Sequence, residues 1–162
     1  MNKETRDQKL FYRSLLGDNF MEDDFPIDGN MIPMAYGRAN IDDLHYWVDN
    51  PRVYDEVHSS GISSDEITTE HIFKKLSKYK DCLDLKSKIL KDAGQREPVV
   101  VAKDITGNTD KFIVYEGNTR LAALTSLFKD GVKGNWSTIK VKLLDLDKFD
   151  PELVITYIGD IH

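Results

Sequence analysis

The run Phe112-Ile113-Val114-Tyr115-Glu116-Gly117-Asn118-Thr119-Arg120-Leu121-Ala122-Ala123-Leu124 decides how this chain folds. Its first four residues are aromatic or aliphatic and read as a strand. The next five are polar around a glycine. Leu121, Leu124 and Phe128, with Ala122 and Ala123, then give a helix over about 118–130, closed by Gly131 and Gly134. A strand therefore runs directly into a helix through Glu116-Gly117-Asn118-Thr119-Arg120. A helix start exposes unpaired N–H groups and the positive end of the helix dipole, and anions bind there. Gly117 lets a ligand approach the backbone and tolerates unusual φ. Asn118 and Thr119 can cap the helix or bond a ligand oxygen. Arg120 can fork onto a phosphate. Glu116 can hold a metal or act as a base. The same pattern also suits a plain strand-to-helix junction with Asn118 as its cap, and both readings stay open on local chemistry.

Outward from this run, Pro98-Val99-Val100-Val101-Ala102 reads as a buried strand, joined to 112–115 by a turn over Asp104–Asp110 that contains Gly107-Asn108. Ile139-Lys140-Val141-Lys142-Leu143 alternates and reads as a half-buried strand. Residues 66–93 read as helix, one long or two broken near Asp81. Ile72, Leu76, Tyr79, Leu83 and Leu90 share a face, Ser64 is the expected N-cap and Gly94 the expected C-cap. Met31 to Tyr36 reads as a strand. A short helix capped by Asn40 or Asp42 is expected through Leu44, Tyr46 and Trp47, until Asp49-Asn50-Pro51-Arg52 breaks it. Residues 3–16 predict a helix. Residues 17–30, with Gly17, Pro26, Gly29 and Glu22-Asp23-Asp24, predict a loop. The expected organisation is an N-terminal helix and acidic linker over 1–29, then one domain over 30–162. Asp150 to Ile161 reads as a helix in progress with no stop signal, so the chain is expected to be part of a longer protein.

The 162 residues suffice for one core, with 40% hydrophobic and 31% charged residues. No apolar run approaches the roughly 20 residues that span a bilayer. The polar N-terminus is no signal peptide. The single cysteine, Cys82, excludes an internal disulfide and a cysteine-based zinc site, and the expectation is a cytoplasmic protein. A net charge of −6 argues against stand-alone, non-specific DNA binding, so DNA contact is expected only through regions outside this chain.

Several stretches resemble the N-terminal domain of ParB proteins. These are the segment Leu85 to Gly94, then Gln95-Arg96-Glu97-Pro98-Val99-Val100-Val101, then Phe112 to Ala123. Upstream, Ile41-Asp42-Asp43-Leu44 followed by Asn50-Pro51-Arg52 is similar to the family's segment ending in Asn-Pro-Arg. Together they cover about residues 30–145. The resemblance implies an α+β fold, a small mixed β-sheet flanked by helices, of the ParB/sulfiredoxin-like kind. It implies a nucleoside phosphate of the CTP or ATP class, bound with Mg²⁺, with phosphates on Gly117, Asn118, Thr119 and Arg120. Asn50 and Arg52 would face the same loop, and Glu97 with Pro98 would stand near a base or sugar. Such a domain is expected to act as a switch, as a homodimer, within a DNA-associated protein. An NTP hydrolase, phosphotransferase or nuclease on this fold, or an interaction module with a decayed site, are the alternatives.

Departures from the family bear on chemistry. ParB reads Gly-Glu-Arg-Arg, so its acidic position falls on Asn118, which cannot act as a base. The family's later Glu-Asn motif has no match before His162. Sulfiredoxin reads Gly-Cys-His-Arg, placing its cysteine at Asn118. The related serine kinase reads Asp-Gly-His-His-Arg; Glu116 matches its acidic position, but both histidines are missing. Elsewhere, His45 and His71 fall on expected helices as surface or packing residues, and His58 lies among serines without a carboxylate partner. Asp145 and Asp147 form an acidic turn with metal binding as the alternative. Trp47 and Trp136 read as packing residues.

Overall fold

β-Branched and aromatic runs at period two build a six-stranded mixed sheet in this computed structural model, which describes residues 7–49 and 69–160. The strands are β1 (Phe20–Ile27), β2 (Asn30–Asn40), β3 (Leu44–Tyr46), β4 (Val99–Lys103), β5 (Phe112–Glu116) and β6 (Thr138–Leu144). Their order is β1-β2-β6-β4-β5-β3. The β6–β4 and β5–β3 pairs are parallel and the others antiparallel. The described helices are α1 (Gln8–Leu16), α2 (Thr69–Leu76), α3 (Lys80–Lys91), α4 (Asn118–Lys129) and α5 (Pro151–Asp160). None is long and apolar enough to cross a membrane.

Alternation along the strands sends side chains to two cores. Val99, Val101, Val114, Ile139 and Val141 pack with α1 to α4 on one face. Val100, Ala102, Tyr115, Ile32 and Met34 pack with Val154, Ile155 and Ile158 of α5 on the other. A mixed sheet with flanking helices is thus the architecture, as expected.

The expected loop over 17–30 is instead strand β1 with its hairpin turn. Asp28 (φ 47°) and Gly29 (φ 81°) both adopt the left-handed region, which gives the two-residue turn that matches strand twist. The acidic run is compatible with a strand because β1 is an edge. Glu22, Asp23 and Asp24 are exposed, and Pro26 and these charges blunt further pairing. Ahead of it, Asp7 caps α1, accepting from the amides of Lys9 and Leu10 at 3.0 and 3.2 Å. Phe11, Tyr12, Leu15 and Leu16 join the same core as Val99 and Val141.

The expected helix through Leu44 and Trp47 is one 3₁₀ turn, Ile41–Asp43, followed by β3. Asn40 does cap it, accepting from the Asp42 amide at 3.0 Å. Leu44 and Tyr46, two apart and both buried, obey the strand period, so His45 stands on a strand. The 66–93 helix is two, broken over 77–79, and the break resets the phase. Ile72 and Leu76 are buried on α2, but α3 buries Cys82 and Ile89 and leaves Leu83 and Leu90 exposed. Likewise Leu127, not Phe128, is the buried residue late in α4. Asn50, Arg52, His58 and Ser64 lie outside the described residues.

Gln95, which precedes the first core strand, is buried. Its Oε1 accepts from the Lys140 amide at 2.7 Å, and its Nε2 donates to the carbonyls of Lys140 at 3.0 Å and Glu97 at 2.8 Å. Pro98 precedes Val99, whose register partner is Val141, so it stands beside Lys140 without an N–H to offer. The carboxamide supplies the missing rung of the ladder. Gln95→Ala is expected to lower stability by about 2 kcal/mol, because main-chain groups of Lys140 lose their partners; urea unfolding would measure it.

The turn closing α3 sets a second expectation. The amide of Gly94 bonds the Ile89 carbonyl at 3.0 Å and that of Ala93 the Leu90 carbonyl at 3.2 Å, so the left-handed residue is Ala93 (φ 59°), not Gly94. At the equivalent place after α4 stands Gly131 (φ 65°). Ala93→Gly should stabilise the fold by roughly 0.5 kcal/mol, a left-handed penalty of about 1–2 kcal/mol less the extra backbone entropy of glycine. A lower melting temperature for this variant would contradict that balance.

Candidate functional site

The five residues 116–120 do form the junction of a strand and a helix. The β4–β5 ladder shifts register there: Val101 faces Val114 while Val100 faces Glu116, so Tyr115 is an additional residue in a bulge. Gly117 follows with φ 99°, ψ 25° and starts α4. A Cβ at 117 would meet Val99 Cγ1 at 2.8 Å and Arg120 Nη1 at 2.9 Å. Backbone shape and close packing therefore both require glycine here.

The first helical bond of α4 runs from the Leu121 amide to the Gly117 carbonyl at 2.8 Å. The amides of Asn118, Thr119 and Arg120 precede it, and no acceptor for them is found among the described residues. Among the described residues no side chain caps this end.

Asn118 does not cap the helix, and its side chain is not turned to a ligand. It is 5% exposed. Its Nδ2 donates to the Val114 carbonyl at 2.8 Å and its Oδ1 accepts from the Trp47 amide at 3.1 Å. The side chain makes a clamp between the end of β5 and the chain leaving β3. Trp47 in turn meets Tyr115 edge to face, with ring centroids 5.3 Å apart. The Tyr115 hydroxyl oxygen accepts from the Ile105 amide at 3.0 Å, and burial pushes its pKa up to about 12. Thr119 is half-buried, and its carbonyl accepts from the Cys82 thiol at 3.8 Å. Burial raises the pKa of that thiol, partly opposed by Lys86.

Arg120 folds back over Gly117. Its Nη1 donates to the Pro98 carbonyl at 3.3 Å and lies 3.9 Å from Glu116 Oε2, with each side chain 20% exposed. Its Nε and Nη2 donate to nothing among the described residues. Pro98 therefore joins the loop through its carbonyl. Glu97 has an exposed side chain and contributes its own carbonyl to Gln95.

The remaining candidates fall into structural places. Asp145 is buried, and its Oδ1 accepts from the Asp147 amide at 3.1 Å, which makes a turn after β6. Among the described residues no three metal-ligating side chains cluster. His45 has its pKa lowered, first by burial and then by Lys111, against a smaller opposing effect of Asp43. Trp136 is buried packing, and Trp47 is half-buried. The clamp made by Asn118 and the rung made by Gln95 escape sequence reading. The only signal is a short amide residue beside a glycine or a proline, where backbone bonds are interrupted.

Comparison with family models, with curated proteins and with solved structures finds no match to this chain.

If Asn118 works as a clamp, Asn118→Ala should destabilise the fold by about 2–3 kcal/mol, through two lost bonds and a small cavity. A side chain held only for a ligand would leave the unliganded melting temperature unchanged.

Proposed function

We propose that this chain is a nucleoside-phosphate-binding domain of the ParB/sulfiredoxin-like type, taking a nucleotide of the CTP or ATP class at residues 117–120. The observation that carries this reading is the pairing of unused donors. Three amides at the start of α4 and two guanidinium nitrogens of Arg120 have no acceptor among the described residues. Amides and dipole favour an anion, and the guanidinium adds a charged fork. Gly117 lets the Arg120 guanidinium lie close over the start of the helix, where a side chain at 117 would displace it.

Glu116 is the acid of the site. One carboxylate beside bound phosphates matches the way Mg²⁺ is usually held, with Glu116 as its protein ligand and charge neutralisation as its contribution. Asn118, engaged inside the fold, takes no chemical part. The reading is therefore a binding domain first, with hydrolysis or transfer, if any, resting on Glu116. On the resemblance, the bound nucleotide would switch a homodimer within a larger, cytoplasmic, DNA-associated protein.

Thermal denaturation with Mg²⁺ and ATP, CTP, GTP or ADP tests this. A nucleotide present at about 100 times its Kd should add about 2.7 kcal/mol of stability. Arg120→Ala should weaken that nucleotide by roughly 10- to 100-fold, the loss of a charged hydrogen bond. Absence of any shift with every nucleotide, or an Arg120→Ala protein that binds as tightly as the parent, would overturn the assignment.

A further inference from the structure

The face of the sheet that carries α5 is only partly covered by it. Val154, Ile155 and Ile158 pack over Ile32, Met34, Val100 and Ala102. Along β2 and β6 the same face continues through Tyr36 and Arg38 and through Lys142 and Lys140, with Tyr36 opposite Lys142 and Arg38 opposite Lys140. A groove of about 630 Å³ opens there, walled by Met21, Tyr36, Arg38, Lys140 and Pro98.

Arg38 and Lys140 are both exposed, and like charges directly opposite one another destabilise a sheet. Both main-chain groups of Lys140 face Gln95 on the β4 side. The Arg38–Lys140 pair is therefore the antiparallel kind without mutual hydrogen bonds, in which side chains stand closest. Arg38 makes one bond, from Nη1 to the Thr138 carbonyl at 3.3 Å, and neither cation has a carboxylate partner among the described residues. Asp18, at the rim, is paired with Arg13 at 3.3 Å. Beside the two cations, Lys142 Nζ lies 5.6 Å from the centre of the Tyr36 ring and 5.7 Å from that of Phe25. Met21 adds an apolar side chain that is 67% exposed.

We propose that this face binds a short stretch of single-stranded nucleic acid, with Arg38 and Lys140 on its phosphates and Tyr36 and Met21 under its bases. Cations interleaved with aromatic and apolar side chains on an open sheet surface are the combination that holds an unpaired strand. An acidic peptide fits less well. Peptides add to sheets at an edge, whereas this groove lies on a face whose main-chain groups are already paired within the sheet. A free mononucleotide calls for a more enclosing pocket. The net charge of −6 opposes polyanions in sum, but Arg38, Lys140 and Lys142 gather three cations on this one face. The inference is independent of any nucleotide at 117–120.

Fluorescence anisotropy with a labelled oligothymidylate of about ten nucleotides at low salt tests it. The unmodified protein should bind, and affinity should fall as salt rises. Lys140→Glu should cut affinity at least tenfold and at the same time raise the melting temperature, because it replaces a repulsive cross-strand pair with an attractive one. Arg38→Ala should weaken binding in the same direction. No binding by the unmodified protein, or unchanged binding by both variants, would overturn the proposal. Polyglutamate of matched charge competing as well as unlabelled oligothymidylate would also overturn it, in favour of an acidic protein partner.

Discussion

The carboxamide of Asn118 holds the two halves of the candidate site together. It is buried at the one place where β5 ends, α4 begins and the chain leaves β3, and it bonds the Val114 carbonyl and the Trp47 amide. A hydroxyl could not span both partners, and a carboxylate would bury a charge and lose the donor. With the junction fixed by this internal bond pair, the first turn of α4 has no side-chain cap among the described residues, and its first amides are left without an acceptor there. An ordinary N-cap would have closed off one of those donors.

What the sequence disclosed followed physical rules of one kind. Val99–Ala102, Phe112–Tyr115 and Ile139–Leu143 read as strands because β-branched density and alternation are local properties, and 118–129 read as helix for the same reason. Residues 17–30 misled because an edge strand tolerates the charges and proline that a central strand excludes. Leu44 to Trp47 misled because a three-residue strand is too short to show its period. The seam of α3 misled because it was extrapolated across a break over 77–79, and a few non-helical residues turn the next helix to a new face.

The site was legible in part. Glycine between strand and helix, and arginine three residues later, can be recognised without coordinates, and they do meet in space. The side chain of Asn118 could not be assigned from sequence, because one of its partners, Trp47, lies 71 residues away along the chain. The orientation of Arg120, folded back to Pro98 rather than out from the helix, depends on the β4–β5 bulge that brings Glu116 opposite Val100. Long-range register of this sort has no local signature.

Two carboxamides therefore serve the same end from opposite sides of the loop. Gln95 supplies the rung that Pro98 cannot, and Asn118 ties β5 to the chain after β3. Between them lie Pro98, whose carbonyl receives Arg120, and Gly117, over which the guanidinium rests. Gln95 repairs the interruption at Pro98 and the bond pair of Asn118 fixes the junction at Gly117, while the first amides of α4 keep no acceptor among the described residues. The donors around Gly117 are thus held in place in the ligand-free protein. A phosphate arriving there would meet groups already ordered, and the entropy of arranging them would not be charged against its binding. On the proposed reading, a loop with no catalytic side chain of its own at position 118 would bind an anion through a geometry set by the fold, with the chemistry of the backbone and one guanidinium.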